Sequence, residues 1–147
     1  MLQKVTIRIE SIIDNLDENG LIDGESEKSV TTVEGIYRLN GNDAHISYKE
    51  NSEGGVSESE VLVSGDSVTV RRRGAICSEL FFREGENHSS VYSIPPFRFD
   101  AEVYTKRVSI ELDGNGGQIK LVYNMKIGGA DKAAVMKIWI SKASKQA

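Results

Sequence analysis

Three consecutive arginines, Arg71, Arg72 and Arg73, sit inside the apolar stretch VTVRRRGAICSELFF, Val68 to Phe82, and they are the residues of this chain best suited to hold an anion. On a strand, alternation places Arg72 on the side of Val68 and Val70, and Arg71 and Arg73 on the opposite side with Thr69. A guanidinium among apolar side chains keeps its proton, so it needs an acceptor from the protein or from a ligand. Glu50 is the first protein acceptor, because Ala44, Ile46, Tyr48 and Glu50 form an alternating set that ends in a carboxylate with a phenol two residues earlier. Tyr123 and Tyr92 can add hydroxyls. Three arrangements fit the pattern: an Arg72–Glu50 ion pair closing one end of a barrel, an anchor for an anionic ligand, or a bulge at Gly74 that turns Arg72 outward.

An amphipathic ligand would set its head at Arg72, near Glu50 and Tyr48, and its apolar body against Ile46, Leu80, Phe82, Phe99, Leu121 and Tyr123. Ten aromatic residues are available to fill such an interior or to line it, and composition does not choose between the two. The competing use is a filled barrel that engages other proteins through strand edges or through outward Phe81 and Tyr104. A further alternative is weak nucleic-acid binding through Arg71, Arg73 and Arg83.

Other chemistry has little support. His45 and His88, the latter read as part of a turn, lack a metal-ligand partner at short spacing. Glu86, His88 and Ser89 crowd one turn without a nucleophile elbow. Gly114-Asn115-Gly116-Gly117 joins two strands and opens no helix, so a tight turn accounts for it. Cys77 has no neighbouring histidine to activate it. The expectation is a protein that is not an enzyme and takes no metal or other cofactor. Asn15-x-Asp17-x-Asn19-Gly20 matches the front of an EF-hand loop, yet Ser26 stands where the twelfth-position glutamate belongs, so residues 14–28 read as a mobile acidic loop.

The elements that must position these residues are strands. Period-two runs recur at Val5–Ile9, Ala44–Glu50, Val61–Val63, Val68–Arg72, Ile76–Phe82, Phe99–Val103, Val108–Leu112 and Ile119–Ile127. Turn signals separate them at Asn40-Gly41-Asn42, Glu53-Gly54-Gly55, Ser64-Gly65-Asp66, Glu84-Gly85-Glu86-Asn87, Pro95-Pro96, Asp113–Gly117 and Gly128-Gly129. Residues 133–143 also fit a helical stripe through Val135, Met136, Trp139, Ile140 and Ala143, but Ile138 falls off it and a strand is expected. The fold class expected is all-β: a single antiparallel up-and-down barrel over residues 1–147, with a short polar tail at 142–147.

Length and charge agree. A chain of 147 residues can bury a core without staples, and one cysteine allows no internal disulfide. The start lacks the uninterrupted apolar run of a signal peptide, and no stretch reaches the length of a membrane span, so a cytoplasmic protein away from membranes is expected. Without a secretory route, the Asn87-His88-Ser89 triplet is not expected to carry a glycan. Net charge is -4, against general attraction to nucleic acid.

Tyr48-Lys49-Glu50, Arg72-Arg73-Gly74, Phe82-x-x-Gly85, Tyr92-Ser93-Ile94-Pro95, Thr105-Lys106 and Ile119-x-Leu121-x-Tyr123 occur in an order and spacing that resembles the YwiB-like family of bacterial proteins. The resemblance is best from Tyr48 to Ile127. It implies a calycin-type, lipocalin-like β-barrel and a bacterial, cytoplasmic setting. Ile94 stands where the family usually has Thr, and Pro96-Phe97-Arg98 replaces its small-residue turn. The family has no established active site, so the resemblance carries no catalytic residue to this chain.

Overall fold

The computed structural model describes residues 2–52 and 55–143. Glu53 and Gly54 of one expected turn, and residues 144–147 of the expected tail, lie outside them. Ten antiparallel strands run through the described residues, with no helix: β1 (Leu2–Asn15), β2 (Glu27–Asn40), β3 (Asp43–Ser52), β4 (Gly55–Ser64), β5 (Ser67–Gly74), β6 (Ser78–Phe82), β7 (Asn87–Ile94), β8 (Phe97–Asp113), β9 (Gly116–Ile127) and β10 (Ala130–Lys142). Each pairs with its chain neighbour except at β6 and β7, and β10 returns to pair with β1.

The result is an up-and-down barrel whose one seam lies between β6 and β7. An isolated bridge spans that seam: the Cys77 N–H donates to the Ser93 carbonyl and the Ser93 N–H to the Cys77 carbonyl, each at 2.8 Å. Ser90 Oγ adds a hydrogen bond to the Glu79 carbonyl.

Alternation explains the interior. Val5, Ile7 and Ile9 of β1, Ile46 of β3, Val61 of β4, Val68 and Val70 of β5, Phe82 of β6, Leu121 of β9 and Ile138 of β10 all point inward and are buried. Each large side chain removed from water contributes about 1.5–3 kcal/mol relative to exposure, so this set supplies much of the drive to fold. At the end of the barrel that carries the β3–β4 partners Asp43 and Ser64, Tyr37 is fully buried and its hydroxyl donates to the Asp113 carbonyl at 2.8 Å. That end is closed by packing. At the other end the inward positions turn polar: Ser29 and Thr31 of β2, Glu50 of β3, Ser57 and Ser59 of β4, and Arg72 of β5.

Several boundaries differ from expectation. β2 and β7 were not foreseen, and His88 lies within β7 opposite Val103, not in a turn. The runs Phe99–Val103 and Val108–Leu112 belong to one strand, β8, in which a register shift between Thr105 and Arg107 lets both odd and even positions face inward. Asp14 and Asn15 complete β1, and Lys28 belongs to β2, so the acidic loop is shorter than 14–28. Within it Leu16 bridges Ile22, and Asp17 Oδ1 accepts the N–H groups of Asn19 and Leu21. β10 is a strand, with Ala134, Met136, Ile138 and Ile140 buried on one face and Trp139 on the other under the Arg8 guanidinium, 5.4 Å from the ring centroid.

Candidate functional site

The β4–β5 ladder runs without a shift from Ser64↔Ser67 to Ser57↔Gly74, so no bulge turns Arg72 outward. Arg72 therefore keeps the inner face of Val68 and Val70, in a row Tyr48–Ser59–Arg72–Ser78 that crosses β3, β4, β5 and β6. Tyr48, Ser59 and Ser78 are buried, and Arg72 is partly buried. Glu50 and Ser57 form the next inward pair toward the open end. Two serines in this ring escaped the sequence reading. Their signal is visible in Ser57-x-Ser59-x-Val61-x-Val63, where the inward alternation simply changes from apolar to hydroxyl.

The expected Arg72–Glu50 ion pair is not formed. Among the described residues no carboxylate lies within ion-pair distance of the Arg72 guanidinium. Both groups instead act on the Tyr48 phenol. Burial raises its pKa, Glu50 raises it further, and the Arg72 charge pulls it back down in part. Across the barrel, burial pushes the Tyr123 phenol up to about 12, opposed by Arg72 and assisted by Tyr92. Arg72 thus faces phenols from two sides, both protonated at neutral pH and able to donate hydrogen bonds. Thr105 Oγ1 is buried without a hydrogen-bond partner, whereas Ser59 Oγ lies against the Tyr48 phenol and helps hold its pKa down. An orphaned buried hydroxyl costs about 1–3 kcal/mol, which an incoming acceptor would relieve.

The apolar residues proposed to hold a ligand tail fall into two groups. Ile46, Leu80, Phe82 and Leu121 are already buried against one another, and the Phe82 and Tyr123 rings meet at 4.7 Å between centroids. They form a floor beneath Arg72 and leave no lining for a long tail. Phe99 shares the inward phase of Ala101, yet it is 39% exposed at the rim of β8, so it is available to a ligand from above. The arrangement is a polar mouth over a packed core.

The remaining arginines divide. Arg71 is held by Glu79 at 3.1 Å and Glu60 at 3.5 Å, and Arg83 by Glu86 at 3.2 Å and Asp66 at 3.5 Å. Arg73 has no ion-pair partner among the described residues and lies with Arg98 beside the seam. The outward aromatics also separate, since Phe81 packs on His88 at 4.3 Å while Tyr104 is exposed on β8.

The model of the family described as "Domain of unknown function (DUF1934)" matches residues 7–138. The chain belongs to this family. It is 27% identical over 124 residues to the uncharacterized beta-barrel protein YwiB of Bacillus subtilis (strain 168), covering 84% of this chain and 82% of the relative. The crystal structure of the ywiB protein from Bacillus subtilis superposes with a TM-score of 0.84 at 24% identity, over 97% of this chain and 94% of that one. At that identity the likeness shows the shared barrel, and the site must be argued from the residues of this DUF1934 chain itself.

Proposed function

We propose that the mouth of this barrel binds a small anionic ligand, with its charged head on Arg72. The observation that supports this reading is an inward guanidinium without a carboxylate partner among the described residues, flanked by the protonated phenols of Tyr48 and Tyr123. A bound anion would accept a charge-assisted bond from Arg72 and further bonds from the phenols and the Ser59 hydroxyl, while Glu50 at the rim would exclude ligands with a second negative group on that side. Barrel mouths are a common place for ligands of this size.

The packed floor limits the ligand. A fatty acid lying full length through the interior would have to displace Phe82 and Leu121, so the apolar part is short, or it leaves the mouth across Phe99. In this reading the protein is a lipocalin-like binder and not an enzyme. It requires no cofactor, engages neither membrane nor nucleic acid, and works in the bacterial cytoplasm.

Native mass spectrometry of the protein offered a panel of short carboxylates, phosphate esters and longer fatty acids tests the reading. Adducts with the compact anions that disappear in Arg72→Leu support it. Binding that is equally strong in Arg72→Leu, or no adduct with any anion, contradicts it and leaves a filled barrel that serves as an interaction domain.

A further inference from the structure

β2 pairs along most of its length on one side and along less than half of it on the other. Its whole length from Glu27 to Arg38 pairs with β1, but its ladder with β3 begins only at Gly35. Residues Glu27–Glu34 therefore present a row of backbone N–H and C=O groups to no partner strand. All but Val33 of these eight residues are exposed, and Val30 is 55% exposed on the outer face.

Natural edges are usually blunted by a proline, a bulge, a short length or charged side chains. This one has no proline and no bulge and is eight residues long; its charges, Glu27, Lys28 and Glu34, stand at its ends, and its centre is the uncharged β-branched run Val30-Thr31-Thr32-Val33.

We infer that this edge is the interface of a homodimer, formed when β2 pairs antiparallel with β2 of a second copy about a twofold axis at Thr31. A twofold axis perpendicular to the sheet sets Thr31 opposite itself and keeps the outer face of one copy continuous with the outer face of the other. In that register Val30 lies opposite Thr32 of the second copy, Ser29 opposite Val33, and Lys28 opposite Glu34. Each pair occurs twice. Lys28 and Glu34 share the outer face, since their β1 partners Ile12 and Thr6 lie on it, and neither has an ion-pair partner among the described residues. The register thus converts two free charges per chain into two opposite-charge cross-strand pairs, and Thr32 covers the exposed Val30. A shift of the axis by one residue, to Val30, puts Lys28 against Thr32 and Glu34 against Ser26 and loses both pairs. The charge pattern of this edge fits a copy of itself, and that is what selects a second copy as the occupant.

Light scattering after size exclusion and sedimentation velocity, on the full chain, test the dimer. The wild-type protein is expected at twice its 16.2 kDa chain mass. Lys28→Glu alone and Glu34→Lys alone each set like charges opposite one another at both pairs, and should weaken association by about tenfold or more. An equimolar mixture of the two variants restores both opposite-charge pairs in the mixed dimer and should recover the wild-type mass. Monomeric wild-type protein up to millimolar concentration overturns the proposal. So does a dimer that both single variants leave unchanged, or a mixture that gains nothing over its components.

Discussion

Arg72 on β5 and Tyr123 on β9 face each other across the barrel mouth, and the charge of the first acts on the phenol of the second. The two strands are far apart in the sheet order, so only closure of the barrel brings them together. Beneath them the Tyr123 ring packs on Phe82, which ties the polar mouth to the solid core. The site therefore has a charged ceiling, donor groups on two sides and an apolar floor.

Removing the guanidinium should cost little stability. A buried charge with a protein partner costs about 3–5 kcal/mol when the partner is stranded. Here no carboxylate is left behind, so Arg72→Leu should change unfolding free energy by less than about 1 kcal/mol or stabilise the fold. Urea denaturation measures this, and a loss of several kcal/mol would mean that Arg72 has a structural partner.

Stability should fall in alkaline solution. The Tyr123 phenol titrates near 10 when unfolded and near 12 in the fold, so the native state holds its proton longer. Its contribution is complete below pH of about 10 and is lost as pH rises toward about 12, by roughly 2–3 kcal/mol in total. Tyr48, raised in the same direction by burial and Glu50, adds to the slope. Tyr123→Phe should flatten the curve of unfolding free energy against pH in that window, and an unchanged slope would count against a buried, protonated phenol.

Gly35 marks where β2 and β3 begin to pair. A Cβ there would run into the Ser47 carbonyl and lie 2.6 Å from Ile7 Cδ1, so the strands approach at a distance that only glycine permits. Gly35→Ala should destabilise by about 2–4 kcal/mol through forced separation of β2 from β3. A melting temperature within a degree or two of wild type, about the size of a surface substitution, would show that the two strands separate freely.

Oligonucleotides should bind weakly or not at all. Carboxylates hold Arg71 and Arg83, Arg72 faces inward, and the chain carries a net charge of -4. Fluorescence anisotropy with single-stranded DNA should show no saturable rise at physiological salt. Tight binding with a steep salt dependence would contradict this.

For residues 133–143 a helical stripe fitted as well as a strand, and the Gly128-Gly129 turn and the off-stripe Ile138 pointed to the strand that β10 is. Period-two alternation revealed the barrel and the inward phase of Arg72, because a half-buried strand writes its two faces into the sequence. β2 and β7 stayed hidden for the same reason. Glu27–Glu34 is mostly polar on both phases, with one valine on each, Val30 and Val33, so no alternation shows, and β7 from Asn87 to Ile94 buries no side chain fully. The bulge in β8 disguised one strand as two, since Ala101 and Val103 are inward at odd positions and Val108 and Ile110 at even ones. Alternation gave the face of Glu50 and Arg72 correctly. It could not give their separation, which depends on the shear between β3 and β5 and on the rotamers of two long side chains.

The measurement that bears most directly on Arg72 as an anion anchor is its own Nε–Hε resonance, followed by nuclear magnetic resonance during titration with octanoate and, separately, with octanol. The two probes share an apolar chain and differ in charge. A saturable shift of the Arg72 signal with octanoate, absent with octanol and accompanied by shifts at Tyr48 and Tyr123, is the expected result. An unmoved Arg72 signal, or equal responses to both probes, would contradict the account.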